Sequence, residues 1–521
     1  MKFFKEIFFK KETPEDKLRK KILTEPSIKR FLDDLIENQE LDQLELYLVG
    51  GIVRDTLLGA GKSKDYDFIF RKISREELES ALTREKGSLD LVGRNFGVYK
   101  FMPADSSLKE AIDIAFPRVE YAAGTGGYRD FEVQADPNLP IEKDLGRRDL
   151  TINAMAYDVR EGKLIDPFSG QKDLENKIIR AVGDPNERFK EDYSRILRAI
   201  RFACKFDFEI EPKTWQAIIA NAKHLNDTRK NNEGKTERIV PEDTIRKEML
   251  KALEANPTRA FDLFDKSGVF EQIVPELSAL KGCEQPPEFH YEGDTWEHTK
   301  LMLGKIESPE FKKQFPDSKI DGQFVMAMLL HDIGKPATRK ETQKNGQAKI
   351  TFFGHDEAGA QIADAILRRL RFPKKQIEQI KFLIERHMTA VSANPATIKN
   401  TTIEKYFMGP KGHRLLMLFY LDSLCSLRPD GSVPLDNYNA LVKRIRKINA
   451  IREKQQHLPA ELLDGMEIME VFMIKKGGPW IKAAKEMVRE EQLAARIYTK
   501  EEAAEFLLKN KKQILGNSGN A

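Results

Sequence analysis

Cysteine is scarce: three in 521 residues. Cys204, Cys283 and Cys425 are odd in number and widely spaced, which argues against a disulfide framework or a thiolate zinc cluster and fits reduced thiols in a cytoplasm. Long apolar runs are also missing. No stretch approaches the roughly eighteen apolar residues that cross a bilayer, so no membrane partner is expected. The opening segment MKFFKEIFFKKETPEDK interrupts each aromatic pair with charge. It therefore lacks the apolar core of a signal peptide and reads as a leader or a short amphipathic helix. A strong net charge is absent too, since 87 basic residues face 83 acidic ones for a net +4. That balance neither demands nor forbids nucleic acid, because binding depends on where basic residues cluster. No internal repeat occurs, and nothing fixes an oligomeric state.

What is present is apolar material for several cores. The hydrophobic fraction is 40% over 521 residues, a length at which a single core stops growing, so roughly three or four domains are expected. From Leu44 to Asp158 short β-rich runs (LELYLVGG, DYDFIF, GVYKFM, AIDIAF, FEVQA) alternate with helical stretches, the pattern of a small α/β or α+β domain. Beyond Asp166 strands all but vanish, and segments such as EDYSRILRAIRFACKF and PEDTIRKEMLKALEA carry helical periodicity. NDTRKNNEGKTER, residues 226–238, is polar and reads as a loop or linker. A second helical region starts near Pro286 and holds six of the eight histidines. The last ~90 residues are helical and Lys/Glu-rich and end in a Gly/Ser/Asn tail expected to be disordered.

Two places in the first region carry chemistry. In LYLVGGIVRDTLLG an apolar strand runs through Gly50 and Gly51 into a helix. Glycines there let backbone N–H groups approach a phosphate at a helix N-terminus, and Arg54 would add a guanidinium fork. An ordinary turn has the same signature. In KDYDFIF, Asp65 and Asp67 are two apart in a β-rich run, so both carboxylates face one way. Such a pair repels itself unless cations neutralise it. Two Mg²⁺ ions bridging a triphosphate would do so, activating an attacking hydroxyl and stabilising the leaving pyrophosphate. Asp113, between apolar neighbours in AIDIAFPR, is either a third carboxylate of the set or a polar residue on the outer face.

GGIVRDTLLG and KDYDF, then RRDLTINAMAYD, DPFSGQKDLENKIIRAVGDP and FKEDYSRILRAIRFA, follow one another in the order and spacing of a known group. Over residues ~44–280 the chain resembles the class II tRNA nucleotidyltransferase and bacterial poly(A) polymerase family. The resemblance implies an α+β, polymerase-β-like nucleotidyltransferase head followed by all-α neck and body regions, with tRNA, CTP and ATP as partners and an RNA 3′-hydroxyl as attacking group. It also implies that Arg148 and Asp149 bind nucleotide; Asn153 is read as holding local structure. The family selects its incoming base with an acid-and-arginine motif, here Asp192 and Arg195, three apart on the expected helix. A carboxylate only accepts hydrogen bonds and a guanidinium only donates them. Cytosine and adenine each set an amine beside a ring-nitrogen acceptor and satisfy both side chains. Uracil and guanine put a carbonyl against the acid. Arg198 and Arg201 continue the helix and suit the triphosphate or the base. Phe96-Gly97-Val98 resembles the CCA-adding type more than the poly(A) type, which stays the alternative.

His298, His331-Asp332 and Asp422 form the scattered pattern of the HD phosphohydrolases, with HDIGKP its most specific piece. Such ligands hold a divalent metal that activates water against a phosphoester, and His355 and His387 would complete a second metal position. The resemblance implies phosphatase or 2′,3′-cyclic phosphodiesterase activity on RNA ends, unless the HD fold is purely structural here. The expected organisation is an extension (1–40), the head (41–160), neck and body (161–285), an HD domain (286–430) and a helical C-terminal region (431–521).

Overall fold

The computed structural model describes residues 12–38, 41–59, 65–84, 87–92, 98–103, 108, 110–122, 126–127, 131–230, 234–344, 347–389, 397–455 and 461–516. The chain divides into two compact units, Met1–Pro275 and Glu276–Ala521.

In the first unit the apolar run ELYLV becomes β1 (Glu45–Val49), with four of its five residues buried. Around it lie β2 (Asp67–Arg71), β3 (Ser88–Val92), β4 (Val98–Met102), β5 (Ile112–Ala115), β6 (Arg118–Ala122), β7 (Phe131–Ala135), β8 (Ala156–Asp158) and β9 (Lys163–Ile165). Seven of these strands form one sheet in the order β3-β4-β5-β2-β1-β8-β9, and β6 pairs with β7 apart from it. The β2–β5 pairing is parallel and sets Asp67 opposite Asp113. The segment SLDLV forms the edge strand β3. Its mostly exposed side chains give little strand signal because an edge buries little. Of the expected discriminator, Phe96 and Gly97 lie outside the described residues.

Two N-terminal helices, Pro14–Leu23 and Pro26–Glu37, precede the sheet. Phe31 packs its ring 5.3 Å from Phe101, a burial that contributes about 1.5–3 kcal/mol. The amphipathic start of the chain, residues 1–11, lies outside the described residues, as does the tail 517–521. After the sheet the unit is helical. The long periodic segment 191–206 is not one helix: Pro185–Glu191 ends, Asp192 is extended (φ −153°, ψ 102°), and a new helix runs over Ser194–Phe206. Asp192 Oδ1 accepts the Ser194 N–H at 2.9 Å, a local bond that competes with helix continuation. The polar stretch expected as a linker holds a small antiparallel pair, Thr228–Lys230 with Thr236–Arg238.

The second unit centres on Gly322–Leu330, in which Phe324 through Leu330 are all fully buried. A helix apolar on every side belongs in the middle of a bundle, so the HD turn at its end is buried with it. Thr295–Lys305, His355–Arg369, Lys374–Arg386 and Gly412–Cys425 accompany it. A hairpin, Lys340–Lys344 with Gln347–Thr351, interrupts the helices; its polar composition gives no strand periodicity. The last helices gather a core of their own around Ile468, Phe472, Ala484 and Leu507.

Candidate functional site

At the β1–helix junction Gly50 takes φ +77°, and a Cβ there would lie 3.2 Å from Asp67 Oδ2 and 3.3 Å from Arg148 Nη1. The positive φ favours glycine, and a side chain there would crowd the two charged groups. Asp67 opens β2 and is half-buried. Burial first, then the facing Asp113 and nearby Asp65, push its carboxyl up to about 6, partly offset by Arg148 and Lys100. Asp113 Oδ1 accepts from Lys100 Nζ at 2.7 Å. Asp65 precedes the strand and is exposed. It faces Glu110, whose carboxyl it raises through a shared hydrogen bond and charge. The donors are all carboxylate oxygens, which suit a hard divalent cation, and the raised Asp67 marks a charge crowding that such a cation relieves.

A second cluster lies on the helices that follow. Asp192 and Arg195 are both buried, with Arg195 Nε 4.0 Å from Asp192 Oδ2. Burial pushes the Asp192 carboxyl up. Arg195 also donates to Glu191 Oε2 at 2.7 Å and to the Arg147 carbonyl at 3.0 Å, which fixes its plane beside Arg148. Asp149 is committed on both oxygens. Oδ1 accepts from the Leu150 N–H (2.8 Å) and Asn153 Nδ2 (3.0 Å), and Oδ2 accepts from Arg198 Nε (2.7 Å). Burial alone would raise its pKa, but Arg198 and Asn153 outweigh it and hold the carboxyl well below the usual range.

The second unit gathers its histidines. Ligand atoms of His298, His331 and Asp332 lie within 4.8 Å of one another, as do those of Asp332, His355 and His387, and of His290, Glu292 and His298. His331, His355 and His387 each turn Nδ1 onto the carbonyl three residues back, at 2.7, 2.8 and 2.6 Å. That leaves Nε2 of each as the inward-facing atom. His355 Nε2 and His387 Nε2 are 3.2 Å apart, and buried His331 Nε2 has no hydrogen-bond partner. Burial and the neighbouring imidazole of His331 push His387 down to about 4, so it stays neutral, as a metal ligand must. His298 differs: Nε2 meets Asp422 Oδ1 at 3.1 Å and Nδ1 meets Glu292 Oε1 at 2.7 Å. Burial opposes its proton, but the two carboxylates outweigh burial and raise it to about 9, marking a place built for positive charge. These donors, imidazole and carboxylate, fit a divalent transition metal.

Residues 46–180 match the poly A polymerase head domain and residues 318–424 match the HD domain. A multifunctional CCA protein of Nitrosococcus oceani is 35% identical over 332 residues, covering 64% of this chain and 71% of that protein. The chain belongs to the multifunctional CCA protein family. The Alkalilimnicola ehrlichii member is 32% identical and covers 67% of this chain, which in turn spans 75% of that protein. In fold the chain is similar to the Bacillus stearothermophilus CCA-adding enzyme in complex with CTP, with TM-score 0.61, 20% identity and coverage of 94% and 99% of the two chains. No helix among the described residues is long and apolar enough to cross a membrane.

Within this CCA-family chain the expected site residues divide into two sets. Asp65, Asp67, Asp113, Gly51 and Arg148 border the Gly50 turn or the paired strands β2 and β5, although Asp65 stands outside the strand. Arg54 does not offer a free fork. Its Nη1 donates to Asn153 Oδ1 at 2.5 Å, Asp55 takes its Nε, and its guanidinium lies 5.0 Å over both Phe202 and Phe206. Arg201 is likewise tied to Glu248 at 2.5 Å, and Asp149 anchors Arg198. Arg54 and Arg201 join separate elements of the first unit through these partners, while Arg198 commits its Nε to Asp149. Asn153 holds local structure: its Oδ1 accepts from Arg54 and its Nδ2 donates to Asp149. His355 and His387 gather with Asp332 as a group of potential metal ligands, and Asp332 also belongs to the group with His298 and His331. Sequence reasoning missed Glu110, Lys100, His290 and Glu292. For Glu292 the signal was its place in FHYEGDTWEH, six residues before His298.

Proposed function

We propose that this chain adds C and A from CTP and ATP to the 3′ end of tRNA. The observation that carries this reading is the buried Asp192–Arg195 pair, 4.0 Å apart, held through the Arg147 carbonyl next to the arginine that borders the Asp67 carboxylate. Asp192 accepts from the amine of cytosine or adenine, and Arg195 donates to the adjacent ring nitrogen. Neither can be satisfied by uracil or guanine, and an unpaired buried group costs about 1–3 kcal/mol. Asp65, Asp67 and Asp113 would hold Mg²⁺, which when bound supplies charge neutralisation for a triphosphate and lowers the pKa of the attacking hydroxyl. Arg148 orients the phosphates, and the Gly50–Gly51 turn lets them approach the backbone. Catalysis is then mostly positioning and electrostatic stabilisation.

The second activity assigned is hydrolysis of phosphoesters at RNA ends, with His298, His331, Asp332, His355, His387 and Asp422 as metal ligands. The functional regions are taken as head (41–160), neck and body (161–285), HD domain (286–430) and C-terminal region (431–521). Basic residues of the body and tail contact tRNA phosphates, and the three buried free cysteines suit a cytoplasmic setting. Asp65→Ala should abolish nucleotide addition and leave hydrolysis of a 2′,3′-cyclic phosphate end intact. His331→Ala should do the reverse. Addition surviving in Asp65→Ala would remove the carboxylate assignment.

A further inference from the structure

Exposed aromatic side chains are unevenly placed in the second unit. Phe289 (62% exposed), Tyr291 (65%) and Phe353 (86%) sit on the two loops that deliver Glu292 and His355 to the histidine cluster. Single exposed apolar residues are ordinary; grouped ones mark a binding surface. Both loops are held firmly. The Tyr291 N–H donates to the Leu427 carbonyl at 2.9 Å, and Glu292 Oε2 accepts the Leu427 N–H at 2.9 Å. Beside Phe353, the Phe352 carbonyl receives His355 Nδ1 at 2.8 Å. Lys335 ties the two loops to one spot. Its Nζ lies 2.6 Å from Asp332 Oδ2, bonds Gln285 Oε1 at 2.6 Å, and stands 5.6 Å from the Phe352 ring centre.

The hairpin between the HD turn and His355 adds charge. Lys340 stands opposite Thr351 and Lys349 opposite Thr342. The two-residue alternation of strands puts both lysines, which are exposed, on one face. The two loops that supply Glu292 and His355 to the buried ligand cluster thus also carry exposed rings, and the hairpin before His355 presents two lysines on one face. Unpaired nucleotides present the matching features, since bases stack on aromatic faces whatever their sequence and phosphates follow lysines.

We propose that the HD half carries a base-stacking subsite, with Phe353 and Tyr291 gripping the terminal unpaired nucleotides of an RNA 3′ end and Lys340 and Lys349 taking the phosphates upstream. This rests on the HD reading above and specifies its substrate as a strand with bases, not a small phosphoester. The test uses the full chain and two probes, a cytidylyl-adenosine dinucleotide ending in a 2′,3′-cyclic phosphate and the baseless glycerol cyclic phosphate. Phe353→Ala and Tyr291→Ala should each lower kcat/KM for the dinucleotide about 10- to 100-fold through KM. Glycerol cyclic phosphate turnover and nucleotide addition to tRNA should not change, and Phe353→Trp should keep the wild-type preference. Equal loss on both probes, or no loss on the dinucleotide, overturns the subsite. If the wild-type chain hydrolyses neither probe, the HD reading fails and a binding assay still decides this proposal. Fluorescence of a 2-aminopurine dinucleotide 3′-phosphate should be quenched by wild-type protein and less by Phe353→Ala, and equal quenching by both would refute it.

Discussion

Gly334, two residues beyond Asp332, sets how closely the HD turn approaches the helix His355–Arg369. A Cβ at Gly334 would lie 2.1 Å from the His355 carbonyl oxygen and 2.5 Å from the Gly359 nitrogen, where ordinary contact begins at 3.4 Å. Both obstacles are backbone, so no rotamer change removes them. In Gly334→Ala the start of that helix must retreat by roughly an ångström, because cores of this density have no room to absorb the methyl. His355 Nε2 now lies 3.2 Å from His387 Nε2 and 3.4 Å from Asp332 Oδ1. Metal–imidazole bonds tolerate only about ±0.2 Å, so a retreat of that size would remove His355 from the ligands that Asp332, His355 and His387 would offer an ion. The expected cost is about 1–3 kcal/mol in the stability of the second unit. Divalent-metal affinity should fall about 10- to 100-fold, the size seen when a ligand loses its orientation. Chelator-stripped protein titrated with Co²⁺, followed by its visible spectrum, reads this directly, with nucleotide addition as the control that should not move. An unchanged Co²⁺ affinity and spectrum in Gly334→Ala would refute the reasoning.

Three further outcomes are expected. Asp192→Asn exchanges a pure acceptor for a group that also donates, so discrimination against UTP should fall by about 10²-fold or more in single-nucleotide addition assays. Selection unchanged in that variant would place base choice elsewhere. Glu248→Ala strands the buried Arg201 guanidinium, and urea unfolding should show a loss of about 3 kcal/mol, largely recovered when Arg201→Met is added; a loss under 1 kcal/mol would mean the pair is effectively solvated. Glu292→Gln keeps the shape but removes the charge that holds His298 Nδ1, so metal affinity should drop about tenfold while hydrolysis with saturating metal largely returns.

Much of this was legible because chemistry and periodicity coincide. The Gly-Gly turn, the Asp67 and Asp113 strands and the buried Gly322–Leu330 helix all have patterns that burial dictates. What could not be read is where local bonding overrides periodicity. The Asp192 side chain caps Ser194 and breaks a segment whose apolar spacing is continuous across the break. Long-range pairing was equally hidden. Arg54, Arg198 and Arg201 carry the same guanidinium that would serve a triphosphate, and only the fold shows that Asn153, Asp149 and Glu248 already take them. The polar hairpin beside the HD turn buries no face, so it leaves no periodic trace. His355 and His387 were visible as ligand types, but their convergence on Asp332 is a property of helix packing.

The most direct test of the account is extension of a tRNA that ends before its CCA, with Mg²⁺ and each nucleoside triphosphate supplied singly and in pairs, read on a sequencing gel. The predicted result is two additions from CTP followed by one from ATP, with UTP and GTP ignored. A long ladder from ATP alone, or no extension under any combination, would contradict it.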